Sequence, residues 1–384
     1  MTNLAELKGL AVPSEEQRAL RDTASAFLAE HDNIRAADEG DLALWQKMVE
    51  LGWAAVIVPE QHDGLGLGYA DLAVLAEEFG RTLNRSPFFA SVVLAQGCLI
   101  EAGSAAAQAR WLPDLAMGTA TATLIGANGL HWQGADALPV AATATGDGGW
   151  RLQGRVAQVL DGARADFALV IARLGDGRPA IFHVPADTPG LIRQALPVWD
   201  LGRPQAAWDF DGVCLPAESR VDVEVDSATL AERLQRVHAL AALMLAAEQI
   251  GSSAHCLDIT LAYVKERRQF GRPIAEFQAV KHRCAEMMVS IEAARSALAG
   301  ALPFAAADAA TADLMLAAAS ARIAACEAQR FCAQEAIQLH GGVGFTWEYD
   351  PQLHFKRSQW AAHWLGDVAY WRGVVADAVL GVAK

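Results

Sequence analysis

Between residues 14 and 118 apolar side chains return every three or four positions, as in Leu44, Trp45, Met48 and Val49 and again in Leu72, Leu75, Ala76 and Phe79. That is the period of one helix face. Loops carrying Pro59, Gly64, Gly66, Gly68 and Pro87 separate the runs, so the spacing predicts an all-helical first domain over 1–119. From 120 to 226 the pattern shifts to short β-prone runs, FALVIA at 167–172 and AIFHV at 180–184, divided by Gly, Pro and Asp. Alternation in Ala206, Trp208 and Phe210 marks half-buried strands, and the stretch reads as a β-barrel or sandwich. Four long alanine- and leucine-rich segments then follow over 227–384: 228–267, 275–300, 305–340 and 351–383. They most simply pack as an antiparallel four-helix bundle. The expected class is α+β, in the order helical, β, helical.

Composition narrows the function. Lys and Arg number 31 against 45 Asp and Glu, a net charge of −14, which gives nucleic acid no electrostatic reason to approach. Hydrophobic residues make up 53% and charged residues 20% of the 384, enough for large cores in two or three domains. Charges and glycines interrupt every apolar run before the ~18 residues of a membrane span. Acids and Pro13 occupy the place of a secretory signal's apolar segment, so no membrane and a cytoplasmic location are expected. The cysteines at 98, 214, 256, 284, 326 and 332 form no CxxC pair and read as small buried hydrophobes. His131, His183, His238, His340 and His354 lack metal-ligand spacing, and no metal is expected.

Gly64, Gly66 and Gly68 resemble a phosphate loop only superficially, because they follow no strand and lack GxGxxG spacing. Two later segments are more informative. YVKERRQFGRPI (263–274) ends a helix in a basic cluster, where Gly271 and Pro273 force a turn and the arginines can clamp an anion bidentately. In QLHGGVGF (338–345) a long helix ends in three glycines within four residues, letting a ligand reach the backbone.

ERRQFGRPIAEFQAVKH (266–282) and AIQLHGGVGFTWEYD (336–350) closely resemble the two carboxy-terminal signatures of flavin-dependent acyl-CoA dehydrogenases. LGWAAVIVPEQHDGLGLGYADLAVLAEEFGRTL (51–83) resembles that family's first helical domain, and the likeness spans nearly the whole chain in order. The resemblance implies an FAD shared at a subunit interface. It assigns Arg267 and Phe270 to the pyrophosphate corner, Phe277 and Gln278 to the flavin neighbourhood, and Gln338, Gly341 and Gly342 to the neighbouring subunit's dinucleotide. The implied reaction is α,β-dehydrogenation of an acyl-CoA, with proton abstraction at Cα, hydride transfer from Cβ to flavin N5, and an electron-transfer flavoprotein-like acceptor.

That reaction needs a carboxylate base, and here the sequence departs from the family. The position of the usual glutamate in Glu-Gly-Thr is Leu365, and the alternative on the first bundle helix is 267 − 26 = 241, an alanine. Glu248 shares a helical stripe with Leu234, Val237, Ala241, Met244, Leu245 and Ser252, so it is the candidate base. Its competing role is a structural carboxylate paired to a neighbouring helix, and Asp367 is the second candidate. The family's flavin-wrapping stretches correspond to LIGANGL (124–130) and QVLDGA (158–163), without the usual hydroxyl and tryptophan contacts. Similar degenerate members serve as non-catalytic subunits of heterotetrameric acyl-CoA dehydrogenases acting on bulky substrates such as steroid side chains. Two expectations stand: a dehydrogenase using Glu248, or a subunit completing the FAD site of a paralogue. Either predicts a homo-oligomer or a heterotetramer.

Overall fold

The computed structural model describes residues 13–31, 35, 38–130, 133–223 and 225–381. The leader reading at 1–12 and His131 fall outside them. The helices are α1 (Glu15–His31), α2 (Asp38–Glu50), α3 (Tyr69–Thr82), α4 (Gly97–Ala102), α5 (Ala105–Ala116), α6 (Ser227–Glu266), α7 (Gln278–Ala301), α8 (Thr311–His340), α9 (Pro351–Ala361) and α10 (Val368–Leu380), with a π-wound segment over Phe89–Gln96. Spatially the chain forms two compact units that do not follow chain order. One holds α1, α3, α7 to α10 and α6 from Ala242 onward; the other holds α2, the π segment, α4, α5, the sheet and the start of α6.

The second unit is built on a seven-stranded mixed sheet: β1 (Ala122–Ile125), β2 (Val140–Ala144), β3 (Trp150–Leu160), β4 (Phe167–Leu174), β5 (Pro179–Pro185), β6 (Leu191–Ala195) and β7 (Gln205–Leu215). β1 and β2 run parallel to β4, while β5 pairs with it antiparallel. Alternate residues converge on one core cluster, including Ala168, Val170, Ala172 and Leu174 of β4 and Ala180, Phe182 and Val184 of β5. On β7 the inward set is Ala206, Trp208 and Phe210, then Val213 and Leu215. The phase slips by one residue at Gly212, whose φ of 67° only glycine adopts freely, next to a register irregularity against β3.

In the same unit the Gly64–Gly68 loop is strapped down: Leu65, Gly66 and Leu67 donate their backbone N–H groups to Ala55, Val58 and Val56. A Cβ at Gly64 would lie 1.8 Å from the Val58 carbonyl oxygen. The glycines serve close packing, as expected for a loop between helices.

In the first unit α6 departs from the striped reading. Every residue over 242–253 is buried, so this stretch of the helix is enclosed on all sides rather than along one face. α3 crosses it at backbone contact distance, because a Cβ at Gly80 would fall 1.9 Å from the Glu248 carbonyl oxygen and one at Gly251 would fall 1.7 Å from that of Glu77.

The last predicted segment is two helices, not one. Leu365 (φ 58°) and Gly366 (φ 90°) break it, and the Asp367 carboxylate caps α10 by accepting from the Tyr370 N–H at 2.8 Å. The cysteines are unpaired, and Cys214 is exposed on β7, where an outward position overrides the residue's tendency to be buried. No helix among the described residues is long and apolar enough to cross a membrane, and no metal-holding cluster occurs among them.

Candidate functional site

The two glycine- and arginine-rich motifs meet at one end of the first unit. α6 stops at Glu266, and a two-residue strand pair follows, with Arg268 opposite Pro273 and Gln269 opposite Arg272. Its tip residues, Phe270 and Gly271, both have positive φ, 53° and 80°, as a primed hairpin turn demands. Glycine meets that demand freely, whereas phenylalanine meets it under strain. Phe270 is nevertheless 91% exposed, with only an edge contact to Phe277 at 6.1 Å. A strained aromatic held outward makes this turn a candidate binding surface.

Tyr263, one turn before Arg267, stacks on His340 at 4.4 Å between ring centroids. His340 is the last residue of α8, so this stack ties the arginine turn to Gly341 and Gly342. Burial holds the His340 imidazole below its ordinary pKa, opposed by its bond to the Ala336 carbonyl, which favours a neutral ring against the tyrosine. Gly341 takes φ 64°, and no atom lies within 4 Å of a Cβ built on Gly341 or Gly342. Arg267, Gln278, Gln338 and both glycines are exposed. Phe345 and Trp347, 61% and 51% exposed, continue the apolar surface. Such an end, with bare backbone, free-standing guanidinium and exposed aromatic faces, suits the diphosphate and flat rings of a dinucleotide.

Glu248 lies elsewhere. It precedes Arg267 by 267 − 248 = 19 residues on α6, about 28 Å at helical rise. It is 3% exposed, and its carboxylate accepts from Arg357 Nη1 at 2.7 Å, a guanidinium with no exposure. Sequence reasoning missed Arg357, for 109 positions separate the partners. Ala241 and Leu365 are each 1% exposed, so neither usual base position offers a proton acceptor. The Leu365 turn is clamped from below: buried Arg322 donates to the Ala361 and Trp364 carbonyls, and Trp371 Nε1 donates to the Leu365 carbonyl at 3.1 Å.

Within the second unit, the stretches that match the family's flavin-wrapping loops offer little to a ring. Leu124, Ile125, Val159 and Leu160 turn into the core. Asp161, buried at φ 54°, pairs with Arg164, which also donates to the Arg85 carbonyl at 3.0 Å. Burial raises the Asp161 pKa and the Arg164 and Arg203 charges oppose it, so this carboxyl is held by a local ion pair. Trp208 Nε1 closes the loop on the Gly162 carbonyl at 2.9 Å. The side chains of this stretch are thus engaged within the second unit itself.

Comparison with known proteins bears on both halves. The profile for "Acyl-CoA dehydrogenase, C-terminal domain" matches residues 234–380, and that for "Acyl-CoA dehydrogenase, N-terminal domain" matches 14–119. Acyl-CoA dehydrogenase IpdE2 of Mycobacterium tuberculosis is 34% identical over 92% of this chain and 94% of its own. Among solved structures, the ChsE4-ChsE5 complex from Mycobacterium tuberculosis superposes with a TM-score of 0.85 at 26% identity, over 97% of this chain and 99% of that one. A variant of the Tcur3481-Tcur3483 steroid ACAD gives 0.83 at 30% identity, over 96% and 98%. With both terminal domains matched and a named relative aligned over nine-tenths of the sequence, this chain belongs to the acyl-CoA dehydrogenase family.

Proposed function

We propose that this chain is a cofactor-completing subunit of a heteromeric, FAD-dependent acyl-CoA dehydrogenase acting on bulky acyl chains of the steroid side-chain type. One observation carries the reading: Leu365 and Ala241, both buried, stand where the resemblance places the family's two bases, and both remaining candidates are engaged, Glu248 by Arg357 and Asp367 as the cap of α10. Removing an α-proton requires a base within hydrogen-bond reach of it. A carboxylate 3% exposed and bonded to a buried guanidinium lacks access to a substrate's α-carbon. The base therefore comes from a paralogous chain.

Arg267 and Phe270 would form the pyrophosphate corner, Phe277 and Gln278 would stand beside the flavin, and Gln338, Gly341 and Gly342 would meet the neighbouring subunit's dinucleotide. The bound flavin supplies a two-electron acceptor for the β-hydride. This chain's part is to neutralise and fix the diphosphate through the Arg267 guanidinium and bare backbone, and to exclude water with Phe270, Phe345 and Trp347. The filled loops around Asp161 support one flavin site for each pair of unlike chains. An electron-transfer flavoprotein-like protein is the proposed acceptor. The names of the aligned relatives, a two-component ChsE4-ChsE5 complex and a steroid ACAD, support the heteromeric assembly and the substrate class.

The test is to purify the chain alone and together with a homologous partner, then measure bound flavin absorbance and its bleaching by acyl-CoA. The expected result is half an FAD per chain and bleaching only in the mixed assembly. Bleaching by the lone chain would overturn the reading in favour of a self-sufficient dehydrogenase with Glu248 or Asp367 as base.

A further inference from the structure

At the other end of α7 the first unit carries an open pocket of about 370 Å³ that the proposed chemistry does not use. Arg295, on its rim, follows Gln278 by 295 − 278 = 17 residues of one helix, about 25 Å at helical rise. α1, α3 and the end of α7 form the walls. Val74, Leu298 and Ala299 are among the apolar lining residues, and Arg21, Glu77 and Arg295 supply the charge. Two guanidiniums and one carboxylate thus meet on the lining, and Glu78 and Glu292 beside them pair with the same arginines.

The donors are not exhausted. Arg21 gives one N–H to Glu77 at 2.8 Å and one to Glu78 at 3.1 Å. Arg295 gives Nε and Nη2 to Glu77 at 3.2 and 2.9 Å, and Nη1 to Glu292. Each guanidinium carries five N–H groups, so both retain some. They remain wet, with side chains 33% and 36% exposed, while Glu77 beneath them is 7% exposed. Burial alone would raise the Glu77 pKa, but Arg21 and Arg295 hold it below the ordinary value, so the carboxylate stays charged and keeps both cations in place. The site is preformed as well, because the Gly80 and Gly251 crossing fixes α3 against α6.

We propose that this pocket binds an aliphatic monocarboxylate, its carboxylate bridging Arg21 and Arg295 and its body lying on Val74, Leu298 and Ala299. A volume of this order accommodates a small ligand, and apolar walls with a few convergent polar groups are the usual makeup of such sites. The free acid released when a thioester is hydrolysed has this chemistry. The inference does not require the heteromeric reading.

Octanoate is titrated into the full assembly by calorimetry, with octanamide as the neutral control, on the native chain, Ala299→Trp and Arg295→Met. Octanoate is expected to bind the native chain, to lose binding in Ala299→Trp, which fills the pocket and keeps the charges, and to bind about tenfold more weakly to Arg295→Met. Octanamide is expected to bind weakly throughout. Three outcomes overturn the proposal: no octanoate binding, binding indifferent to both substitutions, or octanamide binding as tightly. None of them touches the flavin stoichiometry on which the function rests.

Discussion

Replacing Arg357 by methionine tests whether Glu248 is structural or catalytic. The pair is 2.7 Å apart, with side-chain exposures of 0% and 5%. At that distance and an effective dielectric of about 20 the attraction is about 6 kcal/mol, offset in part by the cost of removing both charges from water. Removing the cation strips a buried carboxylate of that partner, which costs about 3–5 kcal/mol. For a unit of this size roughly 2–4 °C accompany each kcal/mol, so the thermal midpoint of the first unit should fall by about 10 °C. The double change Glu248→Met with Arg357→Met should recover most of that loss, since apolar groups of similar volume substitute well for a buried ion pair. Differential scanning calorimetry of the native chain, Glu248→Met, Arg357→Met and the double variant gives the coupling energy. In the mixed assembly Glu248→Gln should lower the midpoint yet leave acyl-CoA-driven flavin bleaching intact. If Glu248→Gln instead keeps the native midpoint and abolishes bleaching, Glu248 is the base and the structural argument fails.

Three further outcomes are expected. His183, stacked on Trp111 at 3.7 Å, has its pKa lowered to about 4 by burial and by Arg110. The unfolded chain takes up a proton below the ordinary value of 6.5, so stability is complete above it, is lost as pH falls, and levels off below about pH 4 after about 3 kcal/mol. Denaturant titrations of the native chain and His183→Phe at pH 8 and pH 5 should differ by about 2 kcal/mol more in the native chain; equal pH dependence would discount this histidine. Gly342→Val, at a position with no atom within 4 Å of a Cβ, should leave the melting curve unchanged while flavin washes out of the assembly on gel filtration; full retention would remove the glycine pair from the cofactor site. Gly251→Ala sets a methyl group 1.7 Å from the Glu77 carbonyl oxygen and should cost at least about 3 kcal/mol or prevent soluble expression; a near-native melt would contradict the crossing.

Much of this was legible because local patterns report local geometry. The period around Leu72 and Phe79 marks α3, and the alternation at Ala206, Trp208 and Phe210 marks β7; the Arg267 turn and the Gly341–Gly342 pair stood out by residue type, and the Tyr263–His340 stack brings them to one end of the unit. What stayed hidden depends on partners remote in sequence. The Glu248–Arg357 pair spans 109 positions, so the helical wheel showed a carboxylate among apolar residues without the cation that explains it. The break between α9 and α10 was masked because Trp364 and Leu365 continue an apolar helical pattern, and only backbone angles at Leu365 and Gly366 end it. Periodicity also underestimated α6, since a helix surrounded on every side by other elements need not be polar anywhere along its middle. Cys214 shows the reverse case, a residue type that is usually interior placed outward by strand phase.

The discontinuity of the first unit has a consequence for synthesis. α1 and α3 leave the ribosome early, but the helices that cover them, α6 through α8, come only after the intervening sheet, with α8 ending at His340 and α3 at Thr82. At translation rates of about 5–20 residues per second that interval lasts roughly ten to fifty seconds. Throughout it the greasy side of α3, Leu72, Leu75, Ala76 and Phe79, waits without its cover. The nascent chain is therefore a natural client for holdase chaperones until its carboxy-terminal half emerges.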